Sequence, residues 1–220
     1  MATNLASGTV RKMRTELAET VQYYLKFGDS EVPANTLLGQ AIGLEYNGLI
    51  NCIHCSRKTN KSFSQGYCYP CFKRLAQCDT CIVKPELCHY HLGTCREPQW
   101  GEQNCMIDHI VYLSNTSGVK VGITRGSQVP TRWMDQGATQ ALPIFRVSNR
   151  LQSGEVETTF ARHIADKTNW QAMLKGNNDD RDLEAERLRL MDECATEIEL
   201  LRERNGLQAI TALESEAITQ

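Results

Sequence analysis

Cys52, Cys55, Cys68 and Cys71 form two CxxC pairs separated by twelve residues. In this spacing each CxxC folds as a tight turn aiming two thiolates at one point, and two such turns complete a tetrahedral Zn²⁺ site. "CIHC" would form a knuckle, "SFSQGY" a return strand, and "CYPCFKRLAQC" would bring the last ligands from the start of a helix, a treble-clef-like zinc module. The competing chemistry is a redox dithiol. That needs one reactive pair at a helix start, not two pairs in a stretch with little periodic hydrophobicity. Metal there would replace much of the core, contributing on the order of 10 kcal/mol or more to folding.

A second cluster follows in "CDTCIVKPELCHYHLGTC", which offers Cys78, Cys81, Cys88, His89, His91 and Cys95, with Cys105 further on. The neatest set is Cys78 and Cys81 with Cys88 and His91, a site of three cysteines and one histidine; exchanging Cys95 or Cys105 for Cys88 or His91 fits nearly as well. Irregularly spaced cysteines also suit an iron-sulfur cluster. Zinc is preferred because His is a common zinc ligand, so two zinc ions are expected. Around the first site lie Arg57, Lys58, Lys61, Phe63, Tyr67, Tyr69, Phe72, Lys73 and Arg74. Such cations can meet phosphates and such rings can stack on bases, although the same residues also pack and solubilise small zinc modules.

A third constellation is spread from His109 to Asn169. Phosphodiester cleavage needs a base for water, a cation for the developing phosphorane charge, and a carboxylate-held metal at the leaving oxygen. Tyr112 is the candidate base, Lys120 its activator or a phosphate contact, Arg132 the charge clamp and Glu157 the ligand of Mg²⁺ or Mn²⁺. If the hairpin between "HIVYLS" and "VKVGIT" pivots on Thr116, Tyr112 and Lys120 face each other; a one-residue slip puts Val121 there instead. Each residue also has a plainer role: Tyr112 in a core, Lys120 solvated, Arg132 paired with Asp135, and Glu155 and Glu157 favouring a helix dipole. Trp133 could stack on a base or fill the core.

The elements that must hold these residues are legible in the periodicity. "VQYYLKF" alternates as a half-buried strand, and "QAIGLEYNGLIN" repeats the alternation before Asn47-Gly48, a hairpin signal. Residues 1–50 therefore read as a small β-rich unit, and 51–107 as the metal module. Residues 108–176 read as an α/β domain, with a third strand at "LPIFRVS" and a helix from about Ser153 to Ala165, capped by Ser153 and striped by Val156, Phe160 and Ile164. Residues 177–220 read as an acidic helical tail with Leu188, Met191, Ala195 and Ile198 on one side, docking on the body or on a protein partner. Cys194 reads as a packed thiol. The whole is α+β.

The order "IVYLSNTSGVKVGIT", Arg132, Glu157 and Asn169 resembles a GIY-YIG nuclease domain over roughly 108–176. Ile110-Val111-Tyr112 stands at the first triplet and Lys120-Val121-Gly122 at the second, with Lys at the second tyrosine. The resemblance implies that two strands carry the triplets, one helix presents Arg132 and another the metal-binding Glu157. More broadly, residues 10–176 resemble the bacterial domain-of-unknown-function family 2797 through "GYCYPCF", "KPELCHYH", "VKVGITR", "PTRWMDQGA" and "DKTNW". That resemblance brings no established activity and implies a strand-rich continuation where this chain reads as a polar helical tail.

Composition limits the classes. The first ten residues, "MATNLASGTV", lack the apolar run of a signal peptide, and no later run approaches the ~18 apolar residues of a membrane span. A cytoplasmic location without a membrane role is expected, where ten cysteines would stay reduced. The net charge of -2 divides unevenly: residues 1–175 carry 19 Lys+Arg and 14 Asp+Glu, and residues 176–220 carry 5 and 12. Nucleic acid is thus expected at the mildly basic body and not at the acidic end.

Overall fold

The alternating run "VQYYLKF" does become a strand, but all six residues of β2 (Gln22–Phe27) are half-buried, with no wet and dry side. It pairs antiparallel between β1 (Val10–Glu16) and β3 (Ser30–Pro33). The computed structural model describes residues 3–164, 171 and 179–219. The chain divides into two compact units, Met1–Asp79 and Thr80–Gln220. The first holds the three-stranded sheet and the four cysteines of the first cluster; the second holds Cys81 onward and all of the later strands.

The second alternation, in residues 40–49, does not become a strand. Ile42, Leu44, Tyr46 and Leu49 are exposed, and Asn47-Gly48 makes a local turn in which Asn47 Oδ1 accepts from Leu49 N at 3.0 Å. Alternation needs a partner edge to become a strand, and among the described residues none pairs with these. Pairing resumes only at β4 (Ile50–Asn51) with β5 (Lys58–Thr59), which bracket the first CxxC. Helix α1 (Tyr69–Arg74) begins within the second.

The second unit is built on an antiparallel sheet in which β6 (His109–Asn115) lies between β7 (Val119–Arg125) and β8 (Gln140–Val147). All seven residues of β6 are buried, as befits a central strand covered on both faces. Val111 and Leu113 face Val156 and Phe160 of α4 (Arg150–Ala161); Ile110 and Tyr112 face Trp133 of α3 (Thr131–Asp135). Helix α4 starts three residues before the expected Ser153, because Asn149 caps it, its Oδ1 accepting from Gln152 N at 3.0 Å. A short helix α2 (Pro98–Asn104) precedes β6.

The C-terminal segment is more than a helical tail. The expected single helix breaks at Cys194 into α5 (Leu183–Glu193) and α6 (Ala195–Asn205). The buried stripe is Leu183, Leu190, Cys194 and Ile198, whereas Leu188, expected inside, is 66% exposed. That stripe packs on the α4 face of the sheet. The chain then adds β9 (Ile210–Ala212) and β10 (Ile218–Thr219), which pair with successive halves of β8. Among the described residues no helix is long and apolar enough to cross a membrane.

Candidate metal centre

Cys52 and Cys55 are brought together by a knuckle. Cys52 N donates to Arg57 O at 2.9 Å, Ser56 N donates to Cys52 O at 2.9 Å, and Ser56 takes φ +58. The return turn is closed by the Phe63–Tyr67 bridge and lies tight against the knuckle: a Cβ on Gly66, at φ +141, would come within 2.7 Å of Ile53. Cys68 caps α1 and Cys71 sits in its first turn, with Phe72 N donating to Cys68 O at 2.9 Å. The four sulfurs lie within 4.8 Å of one another. Cys52, Cys68 and Cys71 are buried, while Cys55 is exposed.

These thiols are free, and Cys55 Sγ and Cys68 Sγ are 3.7 Å apart, far beyond the ~2.05 Å of a disulfide. Their ionisation is split by crowding. Burial pushes Cys52 up, but N–H groups of Cys55, Cys68 and His54 outweigh it and bring the thiol to about 6. Burial and the neighbouring thiols push Cys71 up to about 12. Four converging sulfurs cannot all be thiolates without a cation among them, and a tetrahedral divalent ion supplies it. The donor set fits zinc. Tyr67 and Phe72 pack on the cluster, Phe63 stacks on Phe72 at 5.6 Å between centroids, and Lys61 Nζ lies 5.4 Å from the Phe63 ring. Much of the aromatic filling thus serves as the module's core.

The second set of ligands is distributed differently from its sequence grouping. Cys78 is buried within the core of the first cluster. In the second unit, Cys88 makes side-chain hydrogen-bond contact with both Cys105 and Cys81. Cys81 and His89 also have ligand atoms within 4.8 Å of each other. Cys95 Sγ contacts Glu97 O at 3.6 Å, and His91 is exposed. The contact to Cys105 and then that to Cys81 hold Cys88 well below the ordinary thiol range, while Cys105 is pushed far up.

On the sheet, Tyr112 faces Gly122, not Lys120, which pairs with Ser114. The hairpin therefore pivots on Ser117, one residue beyond the expected Thr116. The reason is steric: a Cβ on residue 122 would sit 2.8 Å from the Tyr112 Cζ and Oη, so the ring needs a glycine across from it. Tyr112 is wholly buried and its hydroxyl donates to Gln136 Oε1 at 2.6 Å. Burial pushes this phenol up to about 12, with Arg132 easing the rise and Glu157 adding to it. Trp133, 1% exposed, fills the core 5.8 Å from the Tyr112 ring. Arg132 is exposed; Glu157 lines an open cleft of about 260 Å³ with Lys84, Glu86 and Val121. Asn169 lies outside the described residues.

Residues 39–219 match the family described as Protein of unknown function (DUF2797). The chain belongs to this family. No curated protein and no solved structure matches it. The DUF2797 match takes in both cysteine clusters, the sheet with Tyr112, and the C-terminal helices and strands, but not the β1–β3 sheet. Where the family resemblance implied a strand-rich continuation, the chain carries β9 and β10 after its two helices. Sequence reasoning missed His109 and Gln136. His109 stood at the head of the visible strand run "HIVYLS", where only its full burial distinguishes it from an ordinary strand-end residue.

Proposed function

We propose that this DUF2797 protein is a cytosolic, zinc-stabilised module that binds the phosphate backbone of nucleic acid without cleaving it. The observation that carries the reading is the charge around the four-cysteine cluster. Residues 51–75 contain five cations, Arg57, Lys58, Lys61, Lys73 and Arg74, and no carboxylate; all five are exposed. A zinc ion held by four thiolates carries −2, so the patch retains about +3 after neutralising it. Tyr69, 55% exposed beside it, offers a ring for a base. Zinc would hold the four sulfurs together and thereby fix the spacing of the cations.

The test is fluorescence anisotropy of labelled single-stranded RNA and duplex DNA across a salt series. Five phosphate contacts give a log–log slope of about −3.5 to −4.5. Combining Lys58→Glu with Lys61→Glu should weaken binding at least tenfold and flatten the slope. Salt-independent binding, or an unchanged affinity in that variant, refutes the reading.

A metal-dependent nuclease is the second reading, favoured by the order of β6, β7, the α3 arginine, β8 and the α4 glutamate, and by the influence of Arg132 on the Tyr112 phenol. Glu157 would hold Mg²⁺ or Mn²⁺. Burial works against Tyr112 as a base: from about 12, ionisation at neutral pH costs roughly 7 kcal/mol. Cutting by the wild type with Mg²⁺ or Mn²⁺ that Glu157→Ala abolishes would favour this reading; equal cutting by both proteins would remove it.

A further inference from the structure

His109 is fully buried at the start of β6. Its Nδ1 lies 2.7 Å from the Ile107 carbonyl oxygen; a carbonyl only accepts, so Nδ1 carries the proton and Nε2 presents a lone pair. That Nε2 is buried with no hydrogen-bond partner among the described residues. A protein rarely leaves such an acceptor unmatched, because the lost hydration costs about 1–3 kcal/mol. An imidazole whose Nδ1 is tied to a backbone carbonyl and whose Nε2 is free is the arrangement of a metal-ligating histidine.

The surroundings supply the other donors. His109 alternates with Val111 and Leu113, so its ring lies on the α4 side of the sheet. Arg150, the first residue of α4, ties two cysteine-bearing segments to that place. Its backbone N–H donates to Cys105 O at 2.8 Å, and its guanidinium donates to Cys81 O at 3.2 Å and to Ile82 O at 2.6 Å. Cys88 touches both Cys81 and Cys105 through its side chain, and both Cys88 and Arg150 act electrostatically on the His109 ring.

We propose that Cys81, Cys88, Cys105 and His109 Nε2 form a second zinc centre, with three thiolates and one imidazole, inside the second unit. The alternative donor beside Cys81 is His89, which is also held at Nδ1, 2.7 Å from Thr94 Oγ1, but is only half-buried, where His109 is fully buried. The four-residue set is favoured by its three soft thiolates and by a lone pair with no other partner. Zinc with three thiolates and an imidazole carries −1, and the Arg150 guanidinium offsets it, so the buried centre is neutral overall. The centre does not depend on nucleic-acid binding, and it differs in donors from the four-cysteine cluster.

Zinc per folded chain, measured on the intact full-length protein, reads the proposal, with Co²⁺ substitution reporting the donors by its thiolate charge-transfer and ligand-field bands. The wild type should hold about two ions and Cys105→Ser about one. His109→Leu should also lose one, while His109→Gln, whose side-chain amide reaches about as far as Nε2 but is a poor zinc ligand, should bind the second ion more weakly and shift the Co²⁺ ligand-field bands while the thiolate charge-transfer bands remain. His89→Ala and His91→Ala, in half-buried and exposed positions, should hold both with unchanged spectra. One ion in the wild type, two in a folded His109→Leu, or loss of an ion in His89→Ala overturns the assignment. If His109→Leu does not fold, the His109→Gln variant decides: affinity and bands unchanged from the wild type would refute it.

Discussion

Gly154, in the second turn of α4, faces the backbone of the turn leading to Cys88. A Cβ there would stand 2.2 Å from Glu86 N and 2.5 Å from Pro85 C. Ordinary contact begins near 3.4 Å, so Gly154→Ala demands a displacement of about 1.2 Å (3.4 − 2.2). The obstructing atoms are main chain and cannot swing aside as a side chain would. Overpacking of this kind costs typically about 1–3 kcal/mol. In the opposite direction, alanine within a helix gains up to about 1 kcal/mol over glycine. The clash is with main chain and should win, leaving the variant about 1–2 kcal/mol less stable, or about 2–8 °C lower in midpoint for a unit of this size. Urea denaturation followed by circular dichroism reads the first quantity and a thermal scan the second. Since helix propensity alone predicts the opposite sign, a variant as stable as the wild type or more so would show that the turn does not rest on α4 as described. A second readout is local: pushing the turn away moves Cys88, so the proposed centre at Cys81, Cys88, Cys105 and His109 should bind zinc more weakly while the four-cysteine cluster is unaffected.

Cys71→Ser should remove one zinc and unfold residues 51–75, seen as loss of protection in hydrogen exchange there, while the sheet of the second unit keeps its protection; retained protection in 51–75 would contradict a metal-built module. Tyr112 predicts an alkaline limit. Its folded pKa, about 12, lies above the unfolded value of ~10, so its contribution is intact below pH ~10 and is lost as pH rises toward the folded value, up to about 2.7 kcal/mol. Tyr112→Phe should remove this slope in denaturation midpoints; an unchanged slope assigns it to another group. Leu190→Ala, at a position with no exposure in the α5 core, should cost about 2–5 kcal/mol by leaving a cavity. A loss under about 1 kcal/mol would mean that α5 is only loosely docked.

The sequence was most legible where one local cause dominates. Spacing alone identified Cys52, Cys55, Cys68 and Cys71, since two tight turns have little freedom in where they aim their thiolates. The runs around Val111 and Ile144 announced the inner strands because burial on both faces leaves a largely apolar string. Legibility failed where a distant partner decides. Ile42 and Leu44 alternate as well as β2 does but meet no edge. Leu188 had the right spacing for a core stripe, yet the stripe that packs runs through Leu183, Leu190, Cys194 and Ile198, which leaves Leu188 on the outward side. The Tyr112 register depended on the contact between its ring and Gly122, which no period reveals. The second cluster offered more ligands than one ion needs, and the choice rests on folding that brings His109 beside cysteines up to 28 residues before it (109 − 81).

The outer edge of β8 has no cover of its own. Ile210–Ala212 pairs with one half of it and Ile218–Thr219 with the other. During synthesis the middle of the sheet therefore leaves the ribosome with bare peptide groups along one flank, waiting for residues 210–219. A released chain that stops after Gly206 should cling to a holdase that masks exposed strands, and one that includes Thr219 should not.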